Sequence, residues 1–326
     1  TVINPPLSTG VINVRLDFLT DEILRFRSAP GEVVPKNETA MVVGSFLDPV
    51  NLEVSESADQ ITCSTKSIKV VITHEPWKVE IFNLSGTKLW GTRPVDIAPL
   101  RRPKDQWNPP QQRWLFLHRY AYPWGYYSGD SWTAFASFDL HHDEHIFGLG
   151  EDFGPVDKRG IHRRLWLQEG FGNASPASYK QAPFFMSTQG YGVFVNTSNA
   201  VSFRFGELDH TAHSIIVEDT DVLDFYWIYG PGLREILPRY TAITGQPALP
   251  PKWSFGLWMG RITYNHQDQV KNVAKKLRKH EIPCDLIHID TGWYENEWDC
   301  NYCFGPDKFP DPVGMIECLR GDGYRV

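Results

Sequence analysis

With 326 residues, 41% of them hydrophobic and 22% charged, the chain is long enough to bury one large core or two smaller ones without disulfides to hold it. A net charge of −7 argues against a nucleic-acid surface, which needs a basic excess. No run approaches the roughly 18–20 apolar residues of a membrane span. Residues 1–10 lack a basic start followed by an apolar run, so no signal peptide is visible.

Residues 1 to about 245 read as β structure. Short runs rich in Val, Ile, Phe and Tyr recur at 10–18, 61–73, 79–84, 192–196, 202–205 and 222–229, broken by Gly, Pro, Asn and Asp. Many short strands with turn signals indicate a β-sandwich or barrel. One helix is expected at 232–244, where Leu233, Ile236, Leu237 and Tyr240 recur at helical spacing between Pro231 and Gly245. The proline cluster at 247–251 marks the domain boundary, giving a first domain at 1–245 and a second at 246–326. After it come an apolar run at 253–259, a helix at about 267–280 with Val270, Val273, Ala274 and Leu277 on one face, and an apolar run at 285–290. A helix at 311–320 and the opening of a third strand at 323–326 follow. Strand alternating with helix begins a parallel α/β array. A β/α barrel needs roughly 250 residues, so about a third of one is expected here.

The five cysteines, Cys63, Cys284, Cys300, Cys303 and Cys318, are odd in number and irregularly spaced. They read as mostly free thiols and favour a reducing, cytoplasmic compartment. Four N-x-S/T sequons, at Asn37, Asn83, Asn173 and Asn196, count the other way, though they matter only in a secreted eukaryotic protein. The aromatic content, 13% with 12 Trp, fits either a β-rich core or stacking on the apolar faces of sugars.

In parallel barrels the chemistry sits at the C-terminal ends of strands. Asp290 ends an apolar strand that would otherwise bury its charge at high cost; it is either a site residue or a loop cap. Trp293, in the loop above, is either a wall for a sugar or a loop anchor. Gly148-Leu149-Gly150 lacks the third glycine of a dinucleotide fingerprint and no helix pattern follows. Cys300-x-x-Cys303 is a lone pair without partners at zinc-finger spacing. The run HHDEH at 141–145 falls in a turn and reads as an exposed polar loop rather than a metal site. No nucleophile elbow of the Gly-x-Ser-x-Gly kind occurs.

Several runs resemble glycoside hydrolase family 31, especially its α-xylosidase-like branch: QPALPPKWSFGLW at 246–258, HIDTGW at 288–293, KFPDP at 308–312 with GMI at 314–316, and IFGLGE at 146–151. SYKQAPFFM at 178–186, followed by GYGV at 190–193, fits the same family. The resemblance runs from about residue 146 to 326. It implies a galactose-mutarotase-like β-sandwich, then the start of a (β/α)8 TIM barrel, in a multidomain protein. It also implies a retaining, exo-acting α-glycosidase working on terminal non-reducing α-linked sugars of oligosaccharides, through two aspartates on later barrel strands, outside residues 1–326. No nucleophile or acid/base is therefore assigned here. The resemblance places Asp290 on the hydroxyls of the terminal sugar, with Thr291 and Trp293 beside it, Ile262 at a position often aromatic in relatives, and Glu169 in a sandwich loop over the barrel mouth. No cofactor or metal is implied, no nucleic-acid or membrane partner, and homo-oligomers are left open.

Where the xylose-specific branch has a bulky residue this chain has Gly292, which leaves room for a hexose hydroxymethyl group. Xyloside and glucoside therefore stand level, with galactoside behind. A non-catalytic carbohydrate-binding sandwich and a family 31 transglycosylase remain as alternatives.

Overall fold

Burial alternates along Ile68–Thr73, whereas Tyr191–Val195 and Val201–Phe205 are buried along their whole length. In the computed structural model, which describes residues 2–3, 12–30, 33–93, 124–128, 132–151, 153–170 and 177–326, these runs pair into antiparallel sheets. The strands are β1 (Val2–Ile3), β2 (Ile12–Phe18), β3 (Ile23–Pro30), β4 (Glu53–Glu56), β5 (Gln60–Ser64), β6 (Ile68–Thr73), β7 (Lys78–Asn83), β8 (Lys88–Gly91) and β9 (Trp124–Ser128). They continue with β10 (Trp132–Asp139), β11 (Ile146–Gly150), β12 (His162–Leu165), β13 (Gln181–Ser187), β14 (Tyr191–Val195), β15 (Val201–Phe205), β16 (Ala212–Glu218) and β17 (Leu223–Tyr229). One sheet runs β1-β2-β3-β17-β14-β13-β11, a second β12-β15-β16-β10-β9, and a third β4-β5-β6-β7-β8. The result is a β-sandwich whose core draws on all three sheets.

The aromatic content is spent largely on that core. Phe26 stacks on Phe225 at 4.9 Å, and Trp90 lies 4.7 Å from Phe138. Trp77, Trp90 and Trp227 are fully buried, whereas Trp166, Trp258 and Trp298 are exposed. The stretch 61–73, expected as one strand, is two. Thr65 turns the chain between β5 and β6: its hydroxyl accepts from Ser67 N and Ile68 N and donates to the carbonyl of Asp21 at 2.7 Å. A Thr that bonds its own following backbone competes with the ladder and ends the strand.

Two of the sequons are internal. Asn196 is buried and donates to Asp224 Oδ2 at 2.7 Å; Asn37 donates to the same oxygen at 3.1 Å and to the Asn196 carbonyl at 2.7 Å. Their amides hold the irregular segment near Asn37 to the sheet. Asn83 closes the β7–β8 hairpin by accepting from Thr87 N at 2.8 Å. Asn173 lies outside the described residues.

The helix Leu233–Thr244 forms where expected, buries Ile236 and Ile243, and stacks Tyr240 on Phe184 at 3.8 Å. Leu237 is 48% exposed, and Ile243 takes the inward position instead. No described helix is long and apolar enough to cross a membrane.

The chain divides into two compact units, Thr1–Gln246 and Pro247–Val326. In the second, the apolar run at 253–259 is only partly a strand. A short 3-10 turn takes Lys252–Phe255, and β18 begins at Trp258 and ends at Arg261. The helix Gln267–Lys279 then returns the chain to β19 (Leu286–Ile289), which pairs parallel with β18. A further helix, Pro312–Gly321, is capped by Asp311, whose side chain accepts from Gly314 N. After it, Arg325 bridges in parallel to Leu286. Val270, Ala274, Leu277, Ile287, Met315 and Leu319 form the core of this unit.

Candidate active site

Parallel pairing sets the site's frame. Arg261 lies opposite Ile289, so Ile262 and Asp290 leave the two strands at the same C-terminal end. Asp290 then caps a 3-10 turn, Thr291–Trp293, its Oδ1 accepting from Thr291 N at 2.8 Å. Its Oδ2 makes no hydrogen bond to a described residue. Asp290 is half-buried. Such a carboxylate, held by one oxygen and open at the other, is an acceptor ready for hydroxyl donors. Thr291 Oγ1 donates to the Ile262 carbonyl at 3.4 Å and ties the two strand ends together. Ile262 itself is 78% exposed. Trp293 is half-buried: it stacks on Tyr294 at 4.0 Å, lies 4.8 Å from Phe304, and packs on the unit's core. Asp290, Thr291, Trp293 and Ile262 are thus brought together.

Glu169 belongs to the other unit. It is exposed and accepts from the Tyr179 hydroxyl. A cleft of about 590 Å³ lies in the same unit, lined in part by Gly148, Gly150, Phe153, Gly170, Ser178 and Tyr179. In the run Gly148-Leu149-Gly150 the two glycines line that cleft. All three residues have left-handed φ, and the β11–β13 register shifts there. A Cβ on Gly148 would lie 2.5 Å from the Phe184 carbonyl, and one on Gly150 would lie 2.3 Å from that of Lys180. Glycine is required at both.

Two residues missed by the sequence reading shape the turn after Asp290. Lys308 donates from Nζ to the Tyr294 carbonyl at 2.9 Å and the Gly292 carbonyl at 3.4 Å. Its place at the head of the KFPDP run was the available signal. Thr263 is the second. Gly292 is buried, and a Cβ there would lie 2.3 Å from Thr263 Cγ2. The room expected beside Gly292 for a hydroxymethyl group is therefore filled by a threonine methyl, because the turn folds back on the end of β18. Gly292→Ala should destabilise the protein by about 1–3 kcal/mol through overpacking, and adding Thr263→Ser, which removes that methyl, should restore most of it. Equal urea midpoints for wild type and Gly292→Ala would refute the clash.

The run at 141–145 is exposed at His141, His142 and Asp143, the group whose ligand atoms lie close enough to hold a metal ion. Glu144, expected to share that exposure, is buried. Its Oε1 accepts from Ser187 Oγ at 2.5 Å and Tyr191 OH at 2.6 Å, and its Oε2 from His141 N at 2.9 Å. Burial pushes its pKa above the ordinary 4.5, and the hydrogen bonds recover only part of that. A carboxyl raised in the native state contributes stability that is complete below pH 4.5 and is lost as pH rises through its folded value. Glu144→Gln should flatten that decline, while losing about 1 kcal/mol at every pH from turning an amide toward His141 N–H. Urea midpoints across a pH series check it, and parallel curves for the two proteins would count against it.

An antiparallel sandwich is thus followed in sequence by a parallel strand–helix–strand unit with a carboxylate at a strand's C-terminal end, where parallel barrels place their chemistry. Residues 13–203 match the glycosyl hydrolase 31 N-terminal galactose mutarotase-like domain, and residues 247–326 match the glycosyl hydrolases family 31 TIM-barrel domain. The chain belongs to glycoside hydrolase family 31.

Among its relatives, α-xylosidase XylQ of Lactiplantibacillus pentosus is 39% identical over 187 residues, covering 56% of this chain and 24% of the relative. An α-xylosidase of Emericella nidulans is 35% identical over 203 residues, covering 62% of this chain and 26% of the relative. Others are named α-glucosidase and isomaltosyltransferase. A family 31 dextranase of Flavobacterium johnsoniae, solved with isomaltotriose, superposes with a TM-score of 0.81 at 25% identity, covering 100% of this chain and 37% of the dextranase. The chain thus spans about a quarter to just over a third of the length of these proteins.

Proposed function

We propose that this chain supplies the sandwich and the opening barrel strands of a retaining, exo-acting α-glycosidase that hydrolyses terminal α-xylosides. The observation that carries the reading is Asp290: a carboxylate at a barrel strand's C-terminal end, fixed through Oδ1 and with Oδ2 bonded to no described residue. In this role it accepts from two hydroxyls of the terminal sugar while Trp293 walls the pocket, Thr291 holds the two strand ends together, and Ile262 stands exposed beside them. Glu169, whose carboxylate accepts from the Tyr179 hydroxyl, is a further proposed substrate-binding residue. No aspartate among residues 1–326 is assigned as nucleophile or acid/base.

Xyloside is placed ahead of glucoside for two reasons. Relatives named α-xylosidase reach 39% and 35% identity, and the space beside Gly292 holds the Thr263 side chain. The test is release of nitrophenol from matched aryl α-xyloside, α-glucoside and α-galactoside by the enzyme at its natural length. Product anomer is read by NMR and oligosaccharide length at high substrate. Faster release from the glucoside would sink the xyloside assignment. An inverted product would sink the retaining mechanism, and longer oligosaccharides would make it a transglycosylase. A folded enzyme that binds sugars but cleaves none would be a carbohydrate-binding protein.

A further inference from the structure

Beyond the strand-end turn, residues 294–304 form a loop tied at its base and open at its tip. At the base, Gly305 N donates to the Trp293 carbonyl at 2.8 Å, Lys308 Nζ donates to the Tyr294 carbonyl at 2.9 Å, and Phe304 packs 4.8 Å from Trp293. At the tip, Trp298 and Tyr302 are 71% and 84% exposed. Cys300 and Cys303 are free and exposed.

The backbone at the tip is specialised. Trp298, Cys300 and Tyr302 all have left-handed φ, at 66°, 49° and 59°. Non-glycine residues adopt this region rarely, and then where the surroundings over-determine it. The chain bends at both Asn301 and Tyr302. Between them the Asn301 side chain accepts from Cys303 N at 2.9 Å, and Cys303 Sγ lies 3.5 Å from the Asn301 carbonyl. Fully extended, three residues span about 10–11 Å. Bends at both intervening residues make the separation shorter than that, and a disulfide bridges α-carbons roughly 4.4–6.8 Å apart.

We propose that Cys300 and Cys303 form a reversible dithiol–disulfide site at the tip of the loop that leans on Trp293. The oxidant is a low-molecular-weight disulfide. One cysteine thiolate attacks a sulfur of that disulfide; a mixed disulfide forms and one small thiolate leaves. The second cysteine, as thiolate, attacks the mixed disulfide and expels the second small thiolate. Two protein thiols are thereby oxidised to one disulfide, and one small disulfide is reduced to two thiols. The bond closes the tip, so the loop is fixed at both ends.

The protein supplies its own comparison. Cys318 is exposed with no cysteine at Cys-x-x-Cys spacing, and Cys63 and Cys284 are buried. The full-length protein is incubated natively with oxidised glutathione, quenched with iodoacetamide and mapped by mass. The expected result is a peptide in which Cys300 and Cys303 together lack two hydrogens and carry no glutathione, restored by dithiothreitol, while Cys318 carries glutathione. In Cys300→Ser, Cys303 should instead gain glutathione. The proposal is overturned if, in the wild type, Cys300 and Cys303 each end with glutathione or both remain alkylatable once Cys318 is modified. It is overturned equally if Cys303 of the Cys300→Ser variant stays unmodified.

Discussion

Asp290→Ala in the complete enzyme is expected to lower kcat/KM for an aryl α-xyloside by at least about 100-fold. Hydrogen bonds to a charged group are each worth about 1.5–3 kcal/mol, and a tenfold change corresponds to about 1.4 kcal/mol, so losing two such bonds reaches that figure. The loss should fall on kcat/KM. Asp290 also caps the Thr291–Trp293 turn, and a structural effect must be separated from a binding one. Asp290→Asn retains an oxygen for Thr291 N but has no charge. It should keep native stability and still fall well below wild type in kcat/KM. Full activity in the asparagine variant would reduce Asp290 to a turn cap, and wild-type kinetics in the alanine variant would remove it from the site altogether.

The second large effect is expected in the sandwich. Asp224 sits on β17, its side chain wholly buried. It receives Arg25 Nε at 3.0 Å and Nη2 at 2.7 Å, the Asn37 amide at 3.1 Å and the Asn196 amide at 2.7 Å. Four donors converge on one carboxylate. Asp224→Ala should destabilise the protein by about 3–5 kcal/mol, because it leaves Arg25 as a largely desolvated charge without its counterion. The two asparagine amides lose the same acceptor. Urea denaturation measures it. A change under about 1 kcal/mol would mean that water or the neighbouring carbonyls replace the carboxylate at little cost.

The contrast between Asp224 and Asn196 shows what was hard to read. Both lie in or beside strands whose pattern was plain, yet nothing in the local sequence says that a sequon asparagine would turn inward to meet an aspartate 28 residues away. Glu144 is similar: the polar run at 141–145 suggested a solvated acid, and only β13 and β14, which bring Ser187 and Tyr191 to it, make its burial tolerable. In the candidate site, the apolar run ending in an aspartate was enough to put Asp290 at a strand end. The threonine methyl against Gly292 was not foreseeable, because it depends on how the turn after β19 folds back on the residues after β18.

What the sequence by itself determined is the kind and order of elements: antiparallel strands up to the proline cluster, parallel strand–helix alternation after it, and the motifs that mark family 31. The elements follow from side-chain period, turn chemistry and apolar runs, all local properties of a chain, and the motifs are short runs that resemble the family's. Which polar groups are buried together, which glycine is closed off, and which carboxylate oxygen stays open were decided by tertiary structure. Those depend on contacts between residues far apart in sequence, and hydrogen bonding and steric exclusion there act over a few ångströms of space, whatever the separation along the chain.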